Sequence, residues 1–160
     1  MTELTTCALR LATVKDAKVL ANMSRHYIEQ GLDWRWRPEA LARQINDPET
    51  VVLVAEIRLG ERRFLGGFAA MNYRMEDATL ALLAVHPRLR RKGIARRLVK
   101  WLHKTATTAG CEKIALQVRA RNHPARAFYR GLGYRETCYL PRYYDGTEAA
   151  YQMEVLFTRQ

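Results

Sequence analysis

The sequence predicts a mixed α/β (α+β) fold, a central sheet of about seven strands flanked by about four helices. The length of 160 residues is that of a single domain, and a hydrophobic content of 48% is enough for a buried core. Segments with strand and helix periodicity follow one another in the order β-α-α-β-β-β-α-β-α-β-β, with no linker and no internal repeat. We therefore expect residues 1–160 to form one domain.

The first part of the chain predicts one strand and two helices. Residues 7–11 alternate weakly in hydropathy, as in a strand. Thr13 and Asp16 have the spacing of a capping box, and Pro38 opens a short second helix. The first helix has an apolar stripe at helical spacing, formed by Val14, Ala17, Leu20, Ala21, Ser24 and Ile28.

The middle of the chain predicts three consecutive strands. Residues 51–57 and 64–73 are two apolar strands joined by a turn. Gly66 and Gly67 lie in the second of them and indicate a bulge or a close backbone approach. Residues 78–85 are apolar throughout, which is typical of a strand buried on both faces.

The last part predicts two helices and three strands. One helix ends at Gly110, and its predicted inner stripe is Ile94, Leu98, Trp101, Leu102 and Thr105. Residues 113–118 form a strand, and a second helix begins near Pro124 and stops at Gly131. Two strands, around 137–140 and over 150–157, close the chain on either side of a turn at 141–146.

The composition argues against several classes of protein. No apolar run is long enough to span a bilayer, and the first six residues lack the pattern of an export signal. We therefore expect a soluble, cytoplasmic protein without membrane association. The three cysteines, Cys7, Cys111 and Cys138, are odd in number and far apart, which predicts buried or half-buried free thiols and no metal site.

The net charge of +11 is concentrated in one stretch of the chain. Between His86 and Arg135 there are fourteen lysines and arginines and a single acid, Glu112. A zone of this kind attracts phosphates, whether of a nucleotide cofactor, a nucleic acid or a ribosome. A solvated basic surface without a partner is the alternative.

A basic loop after the strand 78–85 predicts an anion site. A helix begins at or just before Gly93, so unpaired N–H groups and the positive end of the helix dipole converge there. Gly93 allows a close backbone approach, and Ala95 leaves the first helical turn unobstructed. The surrounding cations are Arg90, Arg91, Lys92 and Arg96. We expect a di- or polyphosphate as ligand, although the spacing matches neither a Walker A loop nor a Rossmann fingerprint.

The pattern Arg90-x-x-Gly93-x-Ala95 resembles the Gln/Arg-x-x-Gly-x-Gly/Ala loop of the GNAT superfamily of acetyltransferases. The resemblance implies acetyl-CoA as cosubstrate and no metal. It implies that backbone amides at the end of the fourth strand hold the pantetheine arm and polarise the thioester carbonyl, here at Leu83, Ala84 and Val85. It further implies that the pyrophosphate lies on the loop and first helical turn, at Arg90, Arg91, Lys92, Gly93, Ile94, Ala95 and Arg96.

A second stretch, residues 116–134, is similar to the signature of ribosomal-protein alanine N-acetyltransferases and of N-terminal acetyltransferases more widely. The similarity covers roughly residues 78–155 and includes the pair Tyr143 and Tyr144. It implies that Asn122 contacts the cofactor and that Tyr129 donates a proton to the departing thiolate, a task suited to a phenol with a pKa of about 10. Outside this pattern, Tyr129 would be interpreted as core packing and Asn122 as a helix-entry residue.

Gln117 stands where the similar family has a glutamate that acts as base. An amide cannot accept that proton, and the remaining candidates stay open: Glu29, Asp33, Glu76, Asp77, His26, Tyr143 and Tyr144. A protein α-amine has a pKa of about 7.7–8.0 and is partly neutral near pH 7.5, whereas a lysine, at about 10.4, is almost fully charged. The missing base therefore favours an α-amine or another weakly basic amine as acceptor.

The sequence thus predicts an N-acetyltransferase that transfers acetyl directly from acetyl-CoA to an amine, that of a protein N-terminus, with the ribosome as a candidate partner. Three alternatives stay open. The acceptor is a small-molecule amine, the chain is a basic nucleic-acid- or ribosome-binding module without catalysis, or the fold binds acetyl-CoA and has lost catalysis.

Overall fold

The computed structural model describes residues 5–157, and within that range the chain forms a seven-stranded mixed sheet with four α-helices. The strands are β1 (Thr5–Leu11), β2 (Thr50–Leu59), β3 (Arg62–Tyr73), β4 (Asp77–Val85), β5 (Lys113–Arg119), β6 (Arg135–Tyr144) and β7 (Glu148–Leu156). The helices are α1 (Ala17–Met23), α2 (Pro38–Asn46), α3 (Ile94–Thr108) and α4 (His123–Gly131). The predicted fold class and order of elements are confirmed. The prediction about an export signal rests largely on residues 1–4, which lie outside the described range.

The strand order is β1-β2-β3-β4-β5-β7-β6, and a separate apolar core covers each face of the sheet. Helices α1 and α2 cover one face, where Leu20 and Leu41 pack with Phe68. Helix α3 covers the other face through residues such as Leu98 and Leu102. Full burial of each such side chain contributes about 1.5–3 kcal/mol to stability. No helix within residues 5–157 is long and apolar enough to cross a membrane.

The first helical region is less regular than its periodicity predicts. A 3₁₀ turn (Val14–Asp16) precedes α1, and a π-helical segment (Ser24–Ile28) follows it. The predicted capping box is present, with the backbone N–H of Thr13 donating to Asp16 at 2.8 Å. Val14 is 50% exposed, so its place in the inner stripe was predicted wrongly. The tighter 3₁₀ turn rotates it away from the face that buries Ala17, the true start of the stripe.

Helix α3 also differs from its predicted stripe. Ile94, Leu98 and Leu102 are buried as predicted, but Trp101 is 38% exposed. Val99 and Ala106 are buried instead, because the centre of the buried face runs close to Leu102 and leaves Trp101 at its margin. Trp101 is thus available to solvent on the outer side of the protein.

The three cysteines are free thiols that differ in burial. Cys111 is buried and Cys7 half-buried, as predicted. Cys138 is exposed, contrary to the prediction, because β6 is the outermost strand of the sheet and its residues are largely open to solvent.

Strand β6 is longer than the sequence predicts. It runs through Pro141 to Tyr144, and its pairing with β7 is irregular between Leu140 and Tyr144. An edge strand tolerates a proline because no outer neighbour requires its N–H. The predicted turn at 141–146 therefore shrinks to a tight turn after Tyr144, with Asp145 and Gly146 both at positive φ.

The two glycines of β3 serve the roles predicted for them. Gly66 is the extra residue of a bulge, because Ala55 pairs with Gly67 and Glu56 pairs with Leu65. A Cβ on Gly67 would lie 2.9 Å from the carbonyl oxygen of Ala84, so β3 and β4 approach closely there. Together these features fix the end of β4, where the candidate site begins.

Candidate active site

The site is a cleft opened by the divergence of β4 and β5. These parallel neighbours pair only from Asp77–Thr79 to Lys113–Ala115. Beyond Thr79, β4 stays with β3 and β5 stays with β7, so the two strands separate. A bulge in β4 at Ala81, between the partners of Ala70 and Met71, accompanies the separation. The resulting cleft has a volume of about 720 Å³, within the range of small-molecule sites.

Near the end of β4, Leu83 lines this cleft, whereas Ala84 and Val85 are not among its lining residues. His86 donates its N–H to the carbonyl of Gly66 in β3 at 2.8 Å. Successive residues of a strand direct their N–H groups to opposite neighbours, so those of Leu83 and Val85 point to the side from which β5 has separated. Ala84 directs its own N–H to β3. Of the three predicted amides, those of Leu83 and Val85 are therefore the two that can donate to a ligand.

The loop before α3 has backbone geometry compatible with the anion cradle that the sequence predicts, and we refer to it below as the cradle. Gly93 is the N-cap of α3 with φ +81°, and the first helical bond is from Arg97 N–H to the carbonyl of Gly93 at 3.0 Å. The N–H groups of Ile94, Ala95 and Arg96 therefore precede the helical ladder and point outward together. A Cβ on Gly93 would meet no atom within 4 Å, so the space beside this residue is open. Free N–H groups at a helix N-terminus are suited to a phosphate ligand.

The cations predicted around the cradle lie beside it and face solvent. Arg91, Lys92 and Arg96 are exposed, and Arg91 is held in the left-handed region at φ +62°. Arg90 donates to the carbonyl of Val85 at 3.4 Å, which joins the loop to the end of β4. None of the nine ion pairs among the described residues involves these side chains. The cradle thus keeps its full positive potential for a ligand.

Asn122 and Tyr129, predicted from the second signature, line the same cleft as Leu83. Asn122 is the N-cap of α4, and its side chain accepts from the N–H of Ala125 at 3.2 Å. It is therefore a helix-entry residue as well as a cleft residue.

Tyr129 is both a core residue and a cleft residue. It is 9% exposed, and its ring packs edge-on against Tyr134 at a centroid distance of 5.5 Å. Burial is the main cause that raises the pKa of Tyr129 above its ordinary value, and nearby Tyr144 raises it further. The phenol consequently stays protonated through the neutral pH range.

Gln117 lies on the β5 wall of the cleft, and the structure narrows the candidate bases. Glu29, Asp33, Tyr143 and Tyr144 line the cleft. His26 lines a separate pocket. Asp77 lies at the paired start of β4, 3.8 Å from Lys113, and Glu76 lies just before it; neither is among the cleft residues.

The wall opposite β4 and β5 is held by two carboxylates. Glu29 is buried and accepts from Ser24 Oγ at 2.8 Å and from the backbone N–H of Arg35 at 2.7 Å. Asp145, in the turn between β6 and β7, accepts from the N–H of Asp33 at 2.9 Å and from the Arg35 guanidinium at 3.1 Å. The loop after α1 is therefore tied to a turn about 110 residues further along the chain. With both of its oxygens used, Glu29 supports the wall.

Arg119 is a residue of this region that the sequence reasoning missed. Its guanidinium donates to the carbonyl of Ile28 at 2.8 Å and pairs with Glu148 at 3.4 Å. It therefore connects the end of β5 to the π-helical turn on the far side of the cleft. Its position in the second signature, directly after Val118, could have marked Arg119 as a candidate site residue. Sequence spacing does not, however, indicate that Arg119 contacts Ile28 and Glu148.

Residues 20–134 match the model of the acetyltransferase (GNAT) family, and the chain belongs to that family. Among curated proteins it resembles the [ribosomal protein bS18]-alanine N-acetyltransferase of Salmonella typhimurium, with 35% identity over 80 residues, 50% of this chain and 54% of that protein. The chain thus spans about half the length of the curated relatives it matches. The predicted resemblance to the ribosomal-protein alanine N-acetyltransferases is confirmed.

Two solved structures share the fold across nearly the whole chain. The ribosomal-protein-S18-alanine N-acetyltransferase from Escherichia coli has a TM-score of 0.80 and 22% identity, covering 97% of this chain and 96% of that chain. Arabidopsis thaliana NAA60 in complex with acetyl-CoA has a TM-score of 0.82 and 20% identity, covering 95% of this chain and 99% of that chain. At these identities the likeness shows the fold alone.

Proposed function

We propose that the protein transfers the acetyl group of acetyl-CoA to the α-amine of a protein N-terminus. The observation that carries the proposal is the cleft between β4 and β5, which opens beside an anion cradle at one end of β4 and is lined by Leu83, Asn122 and Tyr129. Membership of the acetyltransferase family supports the reaction type. The curated relatives, named for acetylating an alanine of a ribosomal protein, support the acceptor class.

In this proposal each part of the site has a separate task. The N–H groups of α3 and the cations Arg90, Arg91, Lys92 and Arg96 hold the pyrophosphate. The N–H groups of Leu83 and Val85 hold the pantetheine arm and the thioester carbonyl, where donors aimed at a developing negative charge are most effective. Acetyl-CoA, when bound, supplies an activated acetyl thioester for attack by a neutral amine.

Tyr129 is the proposed proton donor. Tyr129 lines the cleft, and burial keeps its hydroxyl protonated at neutral pH. The proton that it gives to the departing sulfur is replaced from the amine as that nitrogen loses its own proton. Tyr144 raises the pKa of Tyr129 further and lines the same cleft.

The acceptor class follows from the absence of a carboxylate on β5. Gln117 cannot take a proton, and Glu29 is committed to holding its loop. An acceptor that is already partly neutral needs no strong base, and an α-amine with a pKa of about 7.7–8.0 meets that condition. The ribosome as the carrier of this N-terminus belongs to the same proposal, supported by the names of the relatives and by the net charge of +11.

A thiol-release assay on two peptide pools tests the proposal. One pool has free N-termini beginning with Ala, Ser or Met and contains no lysine, and the other is N-terminally blocked and contains lysine. We expect CoA release with the first pool and background release with the second. Release with neither pool, from a protein that still binds acetyl-CoA, would reject the protein acceptor in favour of a small-molecule amine.

A further inference from the structure

The outer face of α3 carries a row of cations that begins with Arg96, in the proposed cofactor cradle, and runs away from it along the helix. Arg96, Lys100 and Lys104 follow one another at intervals of four residues, so their side chains lie on one line with a rise of about 6 Å per step. All three are exposed, and Arg97 and Trp101 lie beside them. We call Arg96, Lys100 and Lys104 the α3 row.

The like charges of the α3 row destabilise the helix on which they lie. Like charges four residues apart destabilise a helix, and α3 contains no aspartate or glutamate to offset them. Elsewhere in residues 5–157 the arginines are often neutralised, as Arg10 is by Asp16 and Glu56. None of the nine ion pairs in that range involves a residue of α3. Within residues 5–157 the row therefore makes no ion pair, which leaves it available to an external anion.

Trp101 indicates which kind of anion binds the α3 row. The indole is 38% exposed and lies four residues after Arg97 and three before Lys104, so an aromatic face is flanked by cations on the helix surface. Proteins that bind single-stranded nucleic acid combine such cations for the backbone with aromatic rings on which bases stack.

A lipid surface fits this helix less well. A helix that lies on a membrane inserts a free apolar face into it. The apolar residues of α3, such as Leu98 and Leu102, are fully buried in the core of the protein, which leaves Trp101 as the large apolar side chain on the outer face.

We propose that the α3 row and Trp101 form a binding surface for RNA, with the cations on phosphates and the indole on an unstacked base. The surface deepens the proposed function, because it would hold the enzyme on an RNA-containing particle that presents the acceptor N-terminus. The two proposals fail separately, since RNA binding requires neither acetyl-CoA nor Tyr129.

Fluorescence anisotropy with a labelled RNA stem-loop, measured from 50 to 200 mM KCl, tests the surface. The variant Lys100→Gln/Lys104→Gln removes two cations and leaves Arg96 in place. We expect the slope of log affinity against log salt to become shallower by about 1.4, and the affinity at 100 mM KCl to fall about tenfold, because each phosphate contact on a single strand contributes about 0.7 to the slope. Trp101→Ala should lower the affinity about tenfold with an unchanged slope.

The control is Lys15→Gln/Lys18→Gln, which removes the same charge from exposed positions at the start of the first helical region. We expect it to change RNA affinity by less than about twofold, and we expect both double variants to acetylate a short peptide at the wild-type rate. Equal weakening by the two double variants would overturn the proposal in favour of diffuse charge. Displacement of the RNA by saturating CoA would overturn the proposal by showing that the RNA binds at the cradle. Binding to phosphatidylglycerol vesicles without binding to RNA would overturn it in favour of a lipid surface.

Discussion

The side-chain amide of Gln117 on β5 donates a hydrogen bond to the side-chain carbonyl of Gln152, its cross-strand partner on β7, at 3.3 Å. The position at which the resemblance implies a carboxylate base is therefore occupied by a neutral group engaged with the neighbouring strand. In the proposed mechanism, proton removal then depends largely on the acidity of the acceptor itself, and Asp33, Tyr143 and Tyr144 are the other candidate bases that line the cleft. This relationship connects one substitution on β5 to the class of amine that we propose.

Gln117→Glu should raise the rate most strongly at low pH. At pH 6.5 about 5% of an α-amine is neutral, and at pH 8.5 about 80%. A base on β5 therefore gains about tenfold in kcat/KM at pH 6.5 and less than about twofold at pH 8.5. Peptide acetylation followed across this range measures the effect, with Gln152→Glu, outside the cleft lining, as the control. A gain of the same factor at both pH values would show that the new carboxylate does not act as a base.

Tyr129→Phe should lower kcat about a hundredfold, since it removes the proposed proton donor and keeps the ring. KM for acetyl-CoA should change little, and the packing against Tyr134 is retained. Tyr134→Phe is the matched control, because that phenol hydrogen-bonds His103 at 2.8 Å and lies outside the cleft lining. It should cost about 1 kcal/mol of stability without a comparable loss of kcat. A Tyr129→Phe enzyme with wild-type kcat would remove Tyr129 from the mechanism.

Gly93→Ala should weaken acetyl-CoA binding more than it weakens the fold. A Cβ at φ +81° costs about 1–2 kcal/mol, and at the N-cap of α3 it hinders the close approach of a pyrophosphate to the backbone. We expect KM for acetyl-CoA to rise at least about tenfold. Gly110→Ala is the control, because Gly110 has φ +88° just beyond the other end of α3 with equally open space. We expect a similar fall in Tm for both variants and a raised KM for acetyl-CoA in Gly93→Ala alone. Equal KM values for Gly93→Ala and Gly110→Ala would show that the pyrophosphate does not bind at this loop.

The Arg10 cluster should make stability depend on acid pH. Its guanidinium lies 2.9 Å from Asp16 and 2.7 Å from Glu56 and holds the pKa of both carboxyl groups below their ordinary values. Groups of this kind stabilise the fold above their unfolded pKa values, about 4, and that contribution is lost as pH falls through the lowered folded values. The Tm difference between the wild type and Arg10→Gln should be largest near pH 6 and shrink below pH 4. A difference that stays constant over this range would contradict the assignment.

The sequence predicted the elements of the fold and the two signatures, because both are local patterns. Hydrophobic periodicity, with proline and glycine boundaries, predicted the seven strands and four α-helices in order, although not the π-helical segment or the full length of β6. The position of Gly93 after a buried strand predicted the cradle. The exposure of Trp101 was missed, since it depends on how α3 is rotated against the sheet. The cleft wall opposite β4 and β5 was also not predicted. It depends on hydrogen bonds from Arg35 to Asp145 and from Arg119 to Ile28, which join distant segments and leave no local sequence pattern.

The most direct test of the central claim is to localise the acetyl group on one peptide that contains both kinds of amine. The peptide begins with a free alanine and has an internal lysine, and tandem mass spectrometry after incubation with acetyl-CoA assigns the modified nitrogen. We expect acetylation of the α-amine by the wild type and its loss in Tyr129→Phe. Acetylation of the lysine, with the α-amine unmodified, would contradict the claim that this enzyme favours an acceptor whose low pKa leaves it partly neutral.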